Sequence, residues 1–259
     1  MKSEILSTLC CLLLSVPAFA QAPSGVSLKI DLVSWSEDIP GLSVKEENKG
    51  TEVTALAFRY SDPVTYAGPA MLELYQKPDA GKATAPSTPS PSTPQTKGAE
   101  RDPVLTEILK RRKDKPDLVA LAPLPADSKR VTILLAPAPE HTYRAIVIDD
   151  DPSKLPMGKL RIHNYSSLPI AMRCNGAEGK ELKIRESFVV EPKNSQVKYE
   201  LAYQEDGEWK MQENNVLLVR DTEQVQLFVL KTDSGFFKNS AGGSSGFLQT
   251  VILRRQRTQ

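Results

Sequence analysis

The chain reads as all-β, arranged as two consecutive immunoglobulin-like β-sandwiches with one short helix and a disordered Pro/Ser/Thr-rich insertion. Three observations carry that reading. Short apolar runs with period-two alternation recur along most of the sequence, separated by Gly, Pro, Asn and Asp clusters, which is the strand-and-turn pattern of an all-β chain. Helical periodicity between the runs, which a parallel α/β sheet requires for its crossovers, occurs only once. The 259 residues exceed one small domain and suit two, each with its own core.

Residues 1–20 read as a cleaved signal peptide. Ile5 to Val16 is an apolar run of h-region length, too short to span a bilayer, and Ala18-Phe19-Ala20 fits the small-x-small cleavage rule, leaving Gln21 as the mature start. Cys10 and Cys11 lie early in that run with Leu9 ahead of Cys10, which argues against a lipidation site. Of three cysteines, Cys174 then remains alone, so no internal disulfide forms. A secreted or periplasmic protein without disulfides suits a bacterial envelope. Charged residues make up 25% of the chain but sum to +1, so no general attraction to nucleic acid or an anionic membrane follows.

The first sandwich is expected over 21–151. Val26, Leu28, Ile30 and Leu32 alternate with Ser27, Lys29 and Asp31, an opening strand ended by Ser34 to Pro40. Thr51 to Tyr60 and Ala70 to Gln76 read as further strands. From 77 to 101 apolar side chains almost vanish and Pro, Ser, Thr, Ala and Lys dominate; such a segment cannot offset its ordering entropy and reads as a disordered insertion, either a spacer or a tolerated surface loop. Asp102-Pro103 is a helix start, and Val104, Leu105, Ile108 and Leu109 share one face of a helix over 103–113. Its basic end, Lys110 to Lys113, complements the helix dipole and needs no anionic ligand. Leu118 to Leu121 resumes as strand, and Val131 to Leu135 with Tyr143 to Ile148 reads as a hairpin.

The border is placed between Asp149 and Pro156, and the second sandwich over 152–259. Leu160 to His163 and Ile170 to Cys174 read as a second hairpin with one wet and one dry face, His163 on the wet side. Leu182 to Arg185 and Val197 to Gln204 follow. Asp206-Gly207 is a hairpin turn leading into Trp209 and Met211. Val216 to Val219 and Val225 to Val229 continue the pattern, the latter with Gln224 and Gln226 outward. The flexible segment 235–246 precedes a last strand from Phe247 to Leu253 and a basic tail of Arg254, Arg255 and Arg257.

Few residues suggest chemistry. Asp149-Asp150-Asp151 could offer hard oxygens to a cation, but the cluster lacks EF-hand spacing and also serves as a strand end. His141 and His163 lack the further ligands zinc requires. A Cys174–His163 dyad needs two strand faces that disagree, so a buried structural thiol is the better reading. Asn164-Tyr165-Ser166 matches a glycosylation sequon, relevant only in a eukaryotic secretory pathway. No phosphate loop, nucleophile elbow or zinc helix appears, and no catalytic, cofactor or metal residue is assigned.

The succession YRAIVIDDDP, then GKLRIHNYSSLPIAMRCNG with its Gly158, Arg161 and Asn164, resembles a pattern in uncharacterised secreted bacterial β-sandwich proteins. The resemblance covers Arg130 to Lys231. It implies secretion and a β-sandwich, and brings no activity. The expected function is a non-catalytic envelope protein, without membrane span, nucleic acid or cofactor, that binds another protein or a glycan through a sheet edge or loops. The alternatives are a two-sandwich periplasmic chaperone of the pilus-assembly type and a secreted hydrolase.

Overall fold

The structure, a computed structural model, describes residues 25–46, 49–77, 103–231 and 248–256. The expected signal peptide 1–20, residues 78–101 of the expected insertion, Asp102 and the segment 235–246 lie outside the described residues. Within them the chain is all-β, with sixteen strands and one helix. No described helix is long and apolar enough to cross a membrane.

The N-terminal half contains β1 (Gly25–Ser34), β2 (Ile39–Glu46), β3 (Lys49–Ala57), β4 (Val64–Pro69), β5 (Met71–Gln76), helix α1 (Pro103–Arg111), β6 (Leu118–Pro123), β7 (Arg130–Ala138) and β8 (Thr142–Asp149). They form one eight-stranded sheet in the order β6-β5-β2-β3-β1-β7-β8, with β4 also on β1. The sheet curls until β6 lies beside β8 and encloses one core, which includes Leu28, Ile30, Leu32, Leu42, Leu72, Leu74, Ile133 and Leu135. Each such side chain contributes about 1.5 to 3 kcal/mol by leaving water. Helix α1 covers the outside of β6: Leu105 and Ile108 pack on Tyr75, Leu118 and Leu121. Its basic end is absorbed locally, because Arg111 pairs with Glu107 at 2.7 Å and Glu73 at 2.9 Å, and Arg112 donates to the Glu140 carbonyl at 2.6 Å.

The C-terminal half contains β9 (Leu160–Asn164), β10 (Ile170–Cys174), β11 (Lys180–Leu182), β12 (Ser187–Val190), β13 (Gln196–Glu205), β14 (Glu208–Leu218), β15 (Glu223–Lys231) and β16 (Leu248–Gln256). Two four-stranded sheets, β11-β10-β13-β14 and β12-β9-β15-β16, share one core that includes Leu160, Ile162, Ile170, Met172, Val197, Leu201, Val225 and Leu227. The expected hairpin of Leu160–His163 with Ile170–Cys174 does not form. The β9–β10 connection crosses between sheets: β9 pairs with β12 and β15, and β10 with β11 and β13. The two runs each have a dry face because they close the same core from opposite sides.

The halves meet face to face. On β1 and β7 the residues Ile30, Leu32, Val131 and Ile133 point into the first core, so Asp31, Val33, Thr132 and Leu134 point away from it. On β15 and β16 the side chains facing away from the second core include Gln224, Gln226, Phe228, Leu230, Leu253 and Arg255. These two outward faces pack together. Val33, Leu134, Ile148, Phe228, Leu230 and Leu253 form an apolar patch, and the polar residues beside it are buried with it. Several residues expected to be wet are therefore dry: Asp31 is 1% exposed, Gln226 0% and His163 4%. Arg255, expected in a basic tail, is buried between the halves.

Candidate functional site

Three places could carry function: the buried polar layer between the halves, a cleft at the rim of that layer, and the outer edge of β14.

The polar layer is organised by Arg255. Its Nη1 donates to Asp150 Oδ2 at 3.0 Å and its Nη2 to Asp31 Oδ2 at 2.8 Å and Thr132 Oγ1 at 2.9 Å, while the guanidinium lies 4.2 Å over the Tyr60 ring. Arg130 forks onto Asp31 at 2.8 and 3.0 Å, so two carboxylates face two guanidiniums and the layer is charge-balanced. Thr132 donates to Asp150. The Gln226 amide donates to Asp150 at 2.9 Å and to Tyr60 at 3.0 Å, which leaves its carbonyl to accept from His163 Nε2 at 2.8 Å. That fixes the Nε2–H tautomer of His163. The ring is stacked on Phe228 at 4.7 Å and on Tyr165 at 5.6 Å. Burial holds the His163 pKa down at about 3 and pushes the Asp150 carboxyl up against the pull of Arg255. Apart from Arg255 Nε, which is buried without a hydrogen-bond partner, the members named here bond to one another across the two halves, which makes the layer a lock between them.

The three aspartates do not converge. Asp150 belongs to the lock. Asp149 accepts from Lys154 and from Ser128 at 2.6 and 2.8 Å, which hold its carboxyl below the usual range despite partial burial. Asp151 accepts from the Ser153 hydroxyl at 2.7 Å and from the Ser153 and Lys129 amides at 2.9 Å each, which lower its pKa to about 2. Among the described residues no three His, Cys, Asp or Glu side chains group as metal ligands. Cys174 faces the second core, where burial pushes its thiol up to about 11, and β9 with its core residues separates it from His163. His141 lies in the exposed turn between β7 and β8 at positive φ.

Asn164 is not a free sequon. It is fully buried; its amide donates to the Leu168 and Leu182 carbonyls at 2.8 and 3.0 Å, and its carbonyl accepts from the Ser166 amide and hydroxyl. Its main-chain oxygen accepts from Arg185 N–H at 2.7 Å, which holds Arg185 at φ 68°. One residue, through its side chain and its main-chain oxygen, thus ties down the two loops, 165–168 and 183–185, that form a wall of the cleft.

That cleft, of about 840 Å³, has Trp35, Leu121 and Ile146 on the N-terminal side and Tyr165 and Ile184 on the C-terminal side. Arg144 and Arg185 enter its lining from opposite halves, and among the described residues that line it none is acidic.

The edge of β14 is the third place. The Asp206-Gly207 turn, at φ 53° and 82°, closes the β13–β14 hairpin as expected. A bulge follows: Leu201 pairs with Glu213 and Ala202 with Met211, so Gln212 is the extra residue. Strict alternation puts Trp209 and Met211 on the face of Leu217, towards the core. The bulge turns them over, to join Val216 and Leu218 on the outer face opposite Gln204, Ala202, Lys198 and Gln196. All four are exposed, Met211 by 62% and Leu218 by 58%. Among the described strands β14 pairs only with β13, so its other edge carries no strand.

No protein-family model matches the chain, and no curated protein matches it.

Proposed function

We propose that the chain is a non-catalytic binding protein of the bacterial envelope, exported by residues 1–20, that takes an extended segment of another protein along β14. The observation that carries this is the bulge-driven stripe of Trp209, Met211, Val216 and Leu218 on an edge strand. Sheet edges are normally blunted by charge or covered, and an exposed apolar edge strand is a template for strand addition. Clustered large apolar side chains on a surface mark an interaction site. The reading of the halves as two immunoglobulin-like sandwiches, 21–151 and 152–259, belongs to the same proposal. Two facing four-stranded sheets support it in the C-terminal half; in the N-terminal half the support is one curled sheet around one core.

The test is photo-crosslinking from Met211 and from Val216 in the producing cell, with amide exchange on the purified complex. A crosslinked protein segment and new protection along β14 support strand addition. Crosslinks only to residues of the same chain oppose it. The periplasmic-chaperone reading uses the same edge and is favoured over a general binding role if the captured segments are strands of envelope subunits that lack one strand of their own fold.

A further inference from the structure

We propose that β14 pairs with β14 of a second copy of this chain, in an antiparallel two-fold dimer that caps the edge when no other segment occupies it. The inference rests on the reading of β14 as an edge for strand addition and names a further occupant of it. The backbone decides which residues an added strand meets. Gln204 donates its N–H to the Pro169 carbonyl, and the Lys198 carbonyl accepts from the Asn175 N–H, so both turn their main-chain groups towards the β10 side. Their opposite numbers on β14, Trp209 and Val216, therefore present N–H and C=O to the other edge. By alternation on each side of the bulge, Met211, Asn214 and Leu218 do the same. The residues that carry the exposed stripe are thus the ones whose backbone can bond to an added strand.

That edge is self-complementary. Gln212, the extra residue of the bulge, donates its side-chain amide across to the Leu248 carbonyl at 3.2 Å and stands out of the ladder. Without it the strand reads W-K-M-E-N-N-V-L-L, with the apolar outer residues placed symmetrically about Asn214. A two-fold axis at Asn214 sets Trp209 against Leu218, Met211 against Val216, and Asn214 against its own copy. Every pair is apolar on apolar or amide on amide, and both members face the edge, so each is a hydrogen-bonded pair. On the other face Glu213 meets Asn215 and is already held by the Tyr199 and Thr250 hydroxyls at 2.7 and 3.0 Å, so no like charges are opposed. Moving the axis to Asn215 sets Asn214 against Val216 and Trp209 against Arg220, which specifies the register. Each copy contributes the same strand, as a closed two-fold interface requires. One strand per copy makes a small interface, so the dimer is weak and reversible and yields to a better-fitting segment.

The experiment is sedimentation velocity on the full chain purified from the producing cell, from micromolar to millimolar concentration. A reversible monomer–dimer equilibrium is expected. M211K alone and V216E alone should each weaken it by at least about tenfold, because each sets charges against apolar partners twice in a symmetric dimer. Mixed in equal amounts the two variants should dimerise again, since position 211 of one copy faces position 216 of the other and the introduced charges then meet as an opposite pair. N214C should close a disulfide with its own copy under mild oxidation, because Cα atoms of a hydrogen-bonded pair lie about 5.5 Å apart; Q212C, out of the ladder, should not. A wild-type chain that stays monomeric throughout, an unchanged dimer in M211K, a mixture that associates no better than its components, or a Q212C disulfide as ready as that of N214C overturns the inference. A monomer that still captures another protein along β14 overturns it and leaves the proposed function standing. A β14 dimer with no other protein found on that edge does the reverse.

Discussion

Arg255 Nη2 donates to Asp31 Oδ2 at 2.8 Å, joining β16 to β1 across the layer between the halves, with the two side chains 8% and 2% exposed. Arg255 also holds Asp150, so two buried carboxylates share one guanidinium; Asp31 keeps the fork from Arg130 when Arg255 is removed, and Asp150 loses its ion pair. Removing one partner of a buried ion pair costs more than the pair itself contributes, because the other charge stays behind unpaired. Arg255→Met should therefore lower the unfolding free energy by about 3 to 5 kcal/mol in urea denaturation. A loss under about 1 kcal/mol, the size of an exposed pair, contradicts the lock.

His163 makes stability depend on pH. Its folded pKa of about 3 lies below its ordinary value of 6.5, so between these values the unfolded chain binds the extra proton. Stability is then fully present above pH 6.5 and falls as pH drops toward 3, by at most about 1.4 kcal/mol per unit from this group. The difference between wild type and His163→Gln isolates that contribution from the carboxylates. The variant's denaturation midpoint should fall less steeply than the wild type's from pH 7 to pH 4; parallel curves count against a buried neutral imidazole.

Met211→Lys and Val216→Lys remove the apolar stripe at positions 62% and 50% exposed. Each should change stability by no more than about 0.5 kcal/mol, since neither side chain is in a core. The crosslinked partner should be lost in both. Retention of the partner with both lysines in place moves the binding surface elsewhere.

In the regular strands the face was legible in the sequence, but its solvent contact was not. Alternation places Ile30 and Leu32 opposite Asp31, and Leu227 opposite Gln226, which the structure repeats. A polar face pressed against another polar face has the same pattern as one in water, so Asp31, His163, Gln226 and Arg255 looked exposed. β2 escaped notice because Pro40 and Gly41 resemble a turn; they sit at a register shift inside the strand, with Gly41 at φ 67°. The β14 stripe was hidden by the bulge, since one extra residue inverts the parity on which the face is read. Cys174 was placed correctly because its strand is regular and borders one core only. The cleft arises from residues far apart in the chain and has no local signal.

Cys174→Ser should cost about 1 to 3 kcal/mol, the penalty for an imperfectly paired buried hydroxyl. In the native protein its thiol, 8% exposed and raised to about 11, should react with a thiol reagent far more slowly than in the unfolded chain. Rapid native labelling contradicts the burial.

Asn164→Asp keeps the acceptor that holds Ser166 and loses both donors to Leu168 and Leu182. It should cost about 1 to 3 kcal/mol, and loops 165–168 and 183–185 should exchange their amides faster together. Faster exchange in one loop alone shows that Asn164 does not couple them.

The joint between β1 and β16 also sets an order of assembly. Asp31 and Arg255 lie 224 residues apart, whereas the β7–β8 and β13–β14 hairpins close over a few residues. Loop closure over such a separation is the slowest kind of contact to form, so each half can collapse on its own apolar core while Asp31 and Asp150 are still hydrated. The guanidinium arrives afterwards and drives out that water. In refolding, an early phase reporting the two cores and a later phase reporting the Tyr60–Arg255 contact should separate in time, and the later one should vanish in Arg255→Met.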